Sequence, residues 1–212
     1  MTTSDRRSFL ARALTSATLL FAGPVAGHAA GIEEAARKFI ESLAEKAIQA
    51  LTKQEVSRRE RIKRFRHLFT ETFAVAGIGR WILGRYWRKA TASQRDEYLA
   101  LFEDLMVASY VDRFTEYAGE RLTITKTLPT GDGAVIVFSE IVRPAGGPPI
   151  RVDWRVGVKD ETHKIVDVIV EGTSMSTTLR SAFGSIIRRS GGKVAGLIDV
   201  LRKKTESLKK TL

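Results

Sequence analysis

The chain has 212 residues, 43% of them apolar and 28% charged, with no cysteine and three histidines. That composition is globular, and it excludes a disulfide framework, a thiol nucleophile, an iron–sulfur cluster and a cysteine zinc site. A count of 35 Lys and Arg against 24 Asp and Glu gives +11, which predicts attraction to a polyanion, either nucleic acid or an anionic membrane surface. His28, His67 and His163 are too few and too scattered for a histidine metal cage, so no metal or other cofactor is expected.

The first residues, Thr3-Ser4-Asp5-Arg6-Arg7-Ser8-Phe9-Leu10, are basic, and the apolar run from Ala11 to Ala22 carries only Arg12. Gly23, Pro24 and the small-residue stretch Ala26-Gly27-His28-Ala29-Ala30 follow. This order marks residues 1–29 as a signal peptide cleaved after Ala29. The run is too short and too broken to span a bilayer core of roughly 30 Å. Arg6-Arg7 ahead of Phe9 and Leu10 resembles the twin-arginine export address, with Asp5 and Ala11 as departures. The segment holds three arginines against Asp5, so the remainder keeps +9 of the charge. Export removes the chain from chromosomal DNA, which leaves a membrane surface as the expected anionic partner and no nucleic acid.

Residues 30–212 read as one domain. Phe39, Ile40, Leu43, Ala47 and Leu51 fall near a 3.6 period, so residues 31–51 are expected to be helical. Ser57 is placed to cap a second helix over 58–69, whose Arg58, Arg59, Arg61, Lys63, Arg64 and Arg66 concentrate positive charge. That surface and the basic C-terminal tail are expected to steer the chain toward anionic membrane or acidic partner faces. A short helix over 73–83 ends around Gly84. Thr91-Ala-Ser-Gln94 is a capping box that opens a helix to about Ala118, with Leu99, Phe102, Met106, Tyr110, Phe114 and Tyr117 on one stripe. Leu101, Leu105 and Val111 widen that stripe, which predicts burial on more than one side.

From Arg121 the period changes to two. Strands are expected at 122–127, 134–142, 150–158 and 164–171, joined by turn sequences such as Thr130-Gly-Asp-Gly133. Residues 134–142 are apolar on both faces, with Val135 and Val137 on one and Ile136 and Phe138 on the other. Gly172 is expected to end the sheet. Ser176 or Thr177 then caps a helix to about Ser190, and a last helix carries Val194, Leu197, Ile198 and Leu201. Helices, a four-stranded antiparallel meander and helices again make an α+β fold.

Catalytic patterns are weak. Gly172-Thr-Ser-Met-Ser176 departs from a nucleophile elbow, which needs glycine where Ser176 stands, and a triad of Ser174 with His163 or His67 reads as chance. Gly131-Asp-Gly133 lacks the lysine and hydroxyl of a phosphate loop. Asp153, Asp167 and Glu171 form no acid–base pair by spacing. Trp81, Tyr86 and Trp87, interleaved with Arg80, Arg85 and Arg88, have the composition of a base-stacking platform. In an exported chain they read instead as aromatics packed under the long helix or touching membrane. No enzyme activity is expected.

Three blocks carry a family resemblance. They are Ile82-Leu-Gly-Arg-Tyr-Trp-Arg-Lys-Ala-Thr-Ala-Ser-Gln-Arg-Asp-Glu-Tyr98, Pro148-Pro-Ile-Arg-Val-Asp-Trp154, and Val166-Asp-Val-Ile-Val-Glu-Gly-Thr-Ser-Met175 running into Arg180, Phe183, Ile186 and Gly191-Gly192. Over about residues 35 to 205 the chain resembles the MlaC family, the periplasmic phospholipid-binding proteins of the toluene-tolerance group. The twin-arginine-like signal is a departure, since such proteins commonly leave through Sec. The resemblance implies N- and C-terminal helices wrapped around a curved four-stranded antiparallel sheet that encloses an apolar lipid pocket. It implies a periplasmic carrier that shuttles phospholipid between an inner-membrane ABC-transporter lipid complex and an outer-membrane lipoprotein complex. A hopanoid or other polycyclic ligand, and an adaptor that docks membrane complexes without carrying lipid, are the alternatives.

Alternation and helical spacing nominate Leu105, Tyr110, Val135, Val137, Val168, Val170 and Phe183 as lining the pocket. Physical need matches the resemblance. Two chains of about sixteen carbons expose roughly 30 methylenes at about 0.8 kcal/mol each, a gross cost on the order of 25 kcal/mol in water. A lipid therefore crosses an aqueous space only inside something that hides its tails.

Overall fold

The computed structural model describes residues 25–159 and 162–210, with side chains described for 31–159 and 162–208. The expected signal peptide lies outside the described residues up to position 24. Helix α1 (Val25–Leu51) is continuous through the expected cleavage point. It is followed by α2 (Arg58–Thr72), α3 (Val75–Leu83), a 3-10 segment Gly84–Lys89 and α4 (Ala92–Tyr110). After a second 3-10 segment, Val111–Phe114, come β1 (Arg121–Thr130), β2 (Ala134–Val142), β3 (Ile150–Lys159), β4 (Thr162–Val170) and β5 (Thr173–Ser174). Helices α5 (Met175–Arg189) and α6 (Val194–Lys210) complete the chain.

The α+β class and the antiparallel meander are observed, but the sheet has five strands in the order β1-β2-β3-β4-β5, not the four expected. The extra strand arises because Glu171 and Gly172 both take positive φ, 49° and 77°. This tight reversal lets Thr173 pair with Val170 and Ser174 with Ile169 before α5 begins. Gly172 therefore turns the sheet rather than ending it. Two bulges interrupt the ladders, one between Ile124 and Lys126 in β1 and one opposite Arg155 and Val156. Strand β1 pairs with β2 alone among the described strands, and its outer half includes Pro129. The far edge is partly covered, since Phe73 forms an isolated parallel bridge with Ile165.

Two of the three expected N-terminal caps are present. Ser57 Oγ accepts from the Glu60 amide at 3.3 Å. The Thr91–Gln94 box is reciprocal, at 3.2 and 3.1 Å. The third differs: α5 is capped by Ser174, whose Oγ accepts from the Thr177 amide at 3.0 Å. Asp167 fixes that choice, because its carboxylate accepts from the Ser174 hydroxyl at 2.6 Å and the Ser176 amide at 3.0 Å. Helix α4 stops at Tyr110 and not near Ala118. There the chain tightens into i→i+3 bonding, with the Thr115 amide on the Asp112 carbonyl, and Arg58 clamps the Asp112 carboxylate at 2.8 and 3.0 Å.

The basic residues of α2 are largely consumed by the fold. Arg61 is buried and donates to the carbonyls of Leu51, Lys53 and Val56 at 2.7, 3.3 and 3.1 Å. With Arg64 on the Ala50 carbonyl at 3.2 Å, it satisfies the orphan carbonyls at the end of α1. Arg66 bridges Glu103 and Asp104 of α4 at 2.5 and 2.6 Å. Arg59 and Lys63 are the exposed cations of this helix, so the steering surface expected over 58–69 is narrower than its sequence suggests.

Candidate functional site: two apolar clusters meeting along the fourth strand

The apolar interior is divided into two. In the first cluster, α1 lays the stripe Ile32, Ala36, Phe39, Ile40 and Leu43 on one face of the sheet. Spacing of three and four residues puts these side chains on one side of the helix. They meet Val135 and Val137 of β2, Val156 of β3 and Ile165 of β4. Register aligns this face: Val135 lies opposite Val156, Val137 opposite Trp154, and Trp154 opposite Val168. The indole N–H of Trp154 donates to Ser139 Oγ at 3.0 Å, which satisfies the one polar atom of that ring.

The second cluster is built by helices alone. Ile82, Leu83, Tyr98, Phe102, Leu105, Phe183, Ile187, Leu197, Ile198 and Leu201 form most of it. Tyr98 and Phe102 rings stack at 6.1 Å, and Phe183 meets Tyr98 edge-on at 6.3 Å. The Tyr98 hydroxyl donates to the Gly79 carbonyl at 3.0 Å, and burial pushes its phenol pKa up. Gly79 permits that approach, since a Cβ there would lie 2.7 Å from Leu99 Cδ2. Helices α2, α3 and α5 all pack on β4, so the two clusters adjoin along that strand. Phe65, Phe69 and Phe73 of the α2 region form an aromatic run beside it, with centroids 6.2 and 4.8 Å apart.

Five of the seven expected lining residues divide between the clusters, and Tyr110 and Val170 belong to neither. Val135 and Val137 are buried in the sheet cluster and Val168 packs against it. Leu105 and Phe183 are buried in the helical cluster. Tyr110 is half-buried at the end of α4, with the Arg113 guanidinium 5.6 Å from its ring centroid. Val170 is half-buried opposite Val152. Sequence reasoning gave the α1 stripe but did not nominate Phe39 or Ile40 as part of the apolar site. Periodicity shows that a helix face is buried and is silent on which sheet face it meets.

Two surface concavities lie elsewhere, and none of the seven lines either. One, of about 630 Å³, opens at the β2–β3–β4 end beside Asp132, Arg155 and Lys164. The other, of about 460 Å³, lies where α3, the segment Gly84–Lys89 and α5 meet, and is lined by Arg80, Trp81, Arg85, Trp87, Arg88 and Arg180. Among the described residues no group of three His, Asp or Glu side chains is placed to hold a metal ion. Nor is any helix there long and apolar enough to cross a membrane. Ser174, the one serine considered as a nucleophile, spends its hydroxyl on Asp167 and on capping α5.

Helices laid on an open antiparallel sheet define a small α+β helix-on-sheet domain. The family model described as MlaC protein matches residues 41–203, and the chain belongs to the MlaC family. This is a family of lipid-binding transport proteins rather than of enzymes. The chain is 27% identical over 116 residues to the "Intermembrane phospholipid transport system binding protein MlaC" of Haemophilus influenzae, a match covering 53% of this chain and 54% of that relative. The aligned part thus spans about half the length of the curated relative. In fold, the chain is similar to a solved phospholipid-binding protein from Ralstonia solanacearum in complex with a phospholipid. That likeness has a TM-score of 0.74 at 18% identity and covers 82% of this chain and 98% of the other.

Proposed function

We propose that the protein is a periplasmic phospholipid carrier that shuttles lipid between an inner-membrane ABC-transporter lipid complex and an outer-membrane lipoprotein complex. The observation that carries this reading is family membership across residues 41–203. The acyl chains enter between the two apolar clusters, with Val135, Val137, Val168 and Val170 on the sheet side and Leu105, Tyr110 and Phe183 on the helical side. Valine-rich strands and a separately sealed helical cluster suit that role, because the seam widens without dismantling either packing unit. The signal peptide over residues 1–29 supplies the route to the periplasm.

Native mass spectrometry of the purified protein tests the reading. The expected result is a bound mass equal to a diacyl phospholipid. A mass matching a hopanoid redirects the ligand, and a protein that never carries lipid is an adaptor. Val168→Asp is the informative variant, since Val168 is half-buried at the seam and Val137 is fully buried under α1. It is expected to keep its far-UV circular dichroism and to lose most of its bound lipid. Undiminished lipid in that variant places the tails elsewhere.

A further inference from the structure

The concavity between α3, the 84–89 segment and α5 has a composition that the carrier reading does not use. Trp81 is 47% exposed, more than Leu128, Val200 or Val142, the other large apolar side chains that lie on the surface. The Arg180 guanidinium from α5 sits 4.6 Å from the Trp81 ring centroid and donates to the Trp81 carbonyl. Gly84 makes room for it: at φ 52°, a Cβ there would lie 2.6 Å from Arg180 Nη2. Trp87 stands beside it, half-buried, with Arg95 stacked at 5.3 Å and donating to its carbonyl at 2.9 Å. Arg80, Arg85 and Arg88 complete the rim, and all are exposed.

Charge partnership separates this patch from the basic helix α2. There Arg58, Arg64 and Arg66 each hold a carboxylate. Here Arg85 donates to the Tyr86 hydroxyl at 3.1 Å, and no carboxylate pairs with Arg80, Arg85, Arg88 or Arg180 among the described residues. The Tyr86 phenol lies below its ordinary pKa, chiefly through the Arg85 hydrogen bond and, against the opposing effect of burial, through the charges of Arg85, Arg188 and Lys89.

Four guanidiniums without a carboxylate partner among the described residues, set around two indoles, match one environment well. Indole rings favour the headgroup level of a bilayer, where an apolar body and a polar N–H are both accommodated. Guanidiniums match phosphodiester oxygens and are weakly hydrated, so they shed water at low cost. A site for one free phosphate needs enclosed donors, whereas these arginines are spread over an open rim. We propose that Arg80, Trp81, Arg85, Trp87, Arg88 and Arg180 form a docking surface for the face of a bilayer containing anionic phospholipid. It is separate from the seam that would hold carried lipid.

Sedimentation of the purified protein with phosphatidylglycerol–phosphatidylethanolamine vesicles, against phosphatidylcholine vesicles, tests this. Wild type is expected to bind the anionic vesicles, with a blue shift of tryptophan emission that is smaller in Trp81→Phe and absent in Trp81→Phe with Trp87→Phe. The triple variant Arg80→Gln, Arg85→Gln, Arg88→Gln is expected to bind roughly a hundredfold more weakly at low salt. Arg59→Gln with Lys63→Gln on α2 is expected to cost much less per charge removed. Equal loss per charge in the two variants, undiminished binding by the triple variant, or indifference of wild type to anionic vesicles overturns the proposal. So does a triple variant that loses only an acidic protein partner. Bound lipid measured on the same samples keeps this separate from the carrier reading, because vesicle docking by a protein that carries no lipid sinks that reading and leaves this one standing.

Discussion

The two apolar clusters differ in what fills them. Most of the largest fully buried side chains, Tyr98, Phe102, Ile82, Leu83, Ile187, Leu197 and Leu201 among them, sit in the helical cluster. The sheet cluster is closed mainly by Val135, Val137, Val156 and Ile165 beneath a single helix, with half-buried Trp154, Val168 and Leu122 around it. Interlocked aromatic rings resist rearrangement, because any gap forfeits many contacts. The sheet cluster also holds Phe39 and Trp154, but its fully enclosed strand side chains are small and branched, and such a contact gives up less when it opens. The helical cluster is thus expected to anchor the fold, and under the proposed carrier role the sheet cluster is the half expected to yield to a guest.

Truncation tests that contrast most sharply. Phe102→Ala in the helical cluster is expected to cost about 3–5 kcal/mol in denaturant unfolding. Val137→Ala, equally buried, is expected to cost about 2 kcal/mol and to reduce bound lipid in the protein that remains folded. Equal costs, or lipid loss in Phe102→Ala alone, reverse the assignment of the two clusters.

A smaller effect is expected from Arg61→Ala, which uncaps α1 and leaves three carbonyls near the α1–α2 junction without their donor. About 2–4 kcal/mol is expected. Amide exchange should accelerate first in α1 and then in the strands beneath it, with α4 and α6 protected. Uniform acceleration through the whole chain makes the clusters one cooperative unit.

The smallest effect concerns Asp153, whose Oδ1 is buried without a hydrogen-bond partner on the sheet face opposite Val152. Burial raises its pKa, and the Arg151 charge at 3.8 Å only partly opposes this. A carboxyl with a raised folded-state pKa binds its proton more tightly folded than unfolded, so its contribution to stability falls as pH rises from about 3.9 through the folded value. Asp153→Asn should flatten that part of the stability profile and leave the protein at least as stable at pH 7. A loss of stability at pH 7 means that the ionised carboxylate is favourably held.

Much of the strand pattern was legible. The bounds Ala134–Val142 follow from a short run apolar on both faces, closed off by Gly133 and the Arg143-Pro144 turn. Thr91 and Ser57 were readable because a cap depends on residues three positions away. Ser174 was not, since its selection over Ser176 depends on Asp167 across the turn. The 58–69 charge was visible, but its use was not: whether an arginine faces water or the end of another helix is settled by partners as distant in sequence as Glu103. For the site, periodicity marked Val135, Val137, Leu105 and Phe183 as apolar positions that the fold buries, but it could not show that they fall in two clusters, and Tyr110 and Val170 are only half-buried.

The free side of β1 has a consequence for life in a crowded compartment. A strand with one unused row of amides and carbonyls is a template on which other chains can add. Here the template is defective by construction: Pro129 has no N–H to offer, the irregularity at Thr125 breaks the spacing, and Lys126 places charge beside it. Under the proposed carrier role, in which an apolar interior opens to exchange cargo, the protein is thereby guarded at the edge where opening would first invite polymerisation.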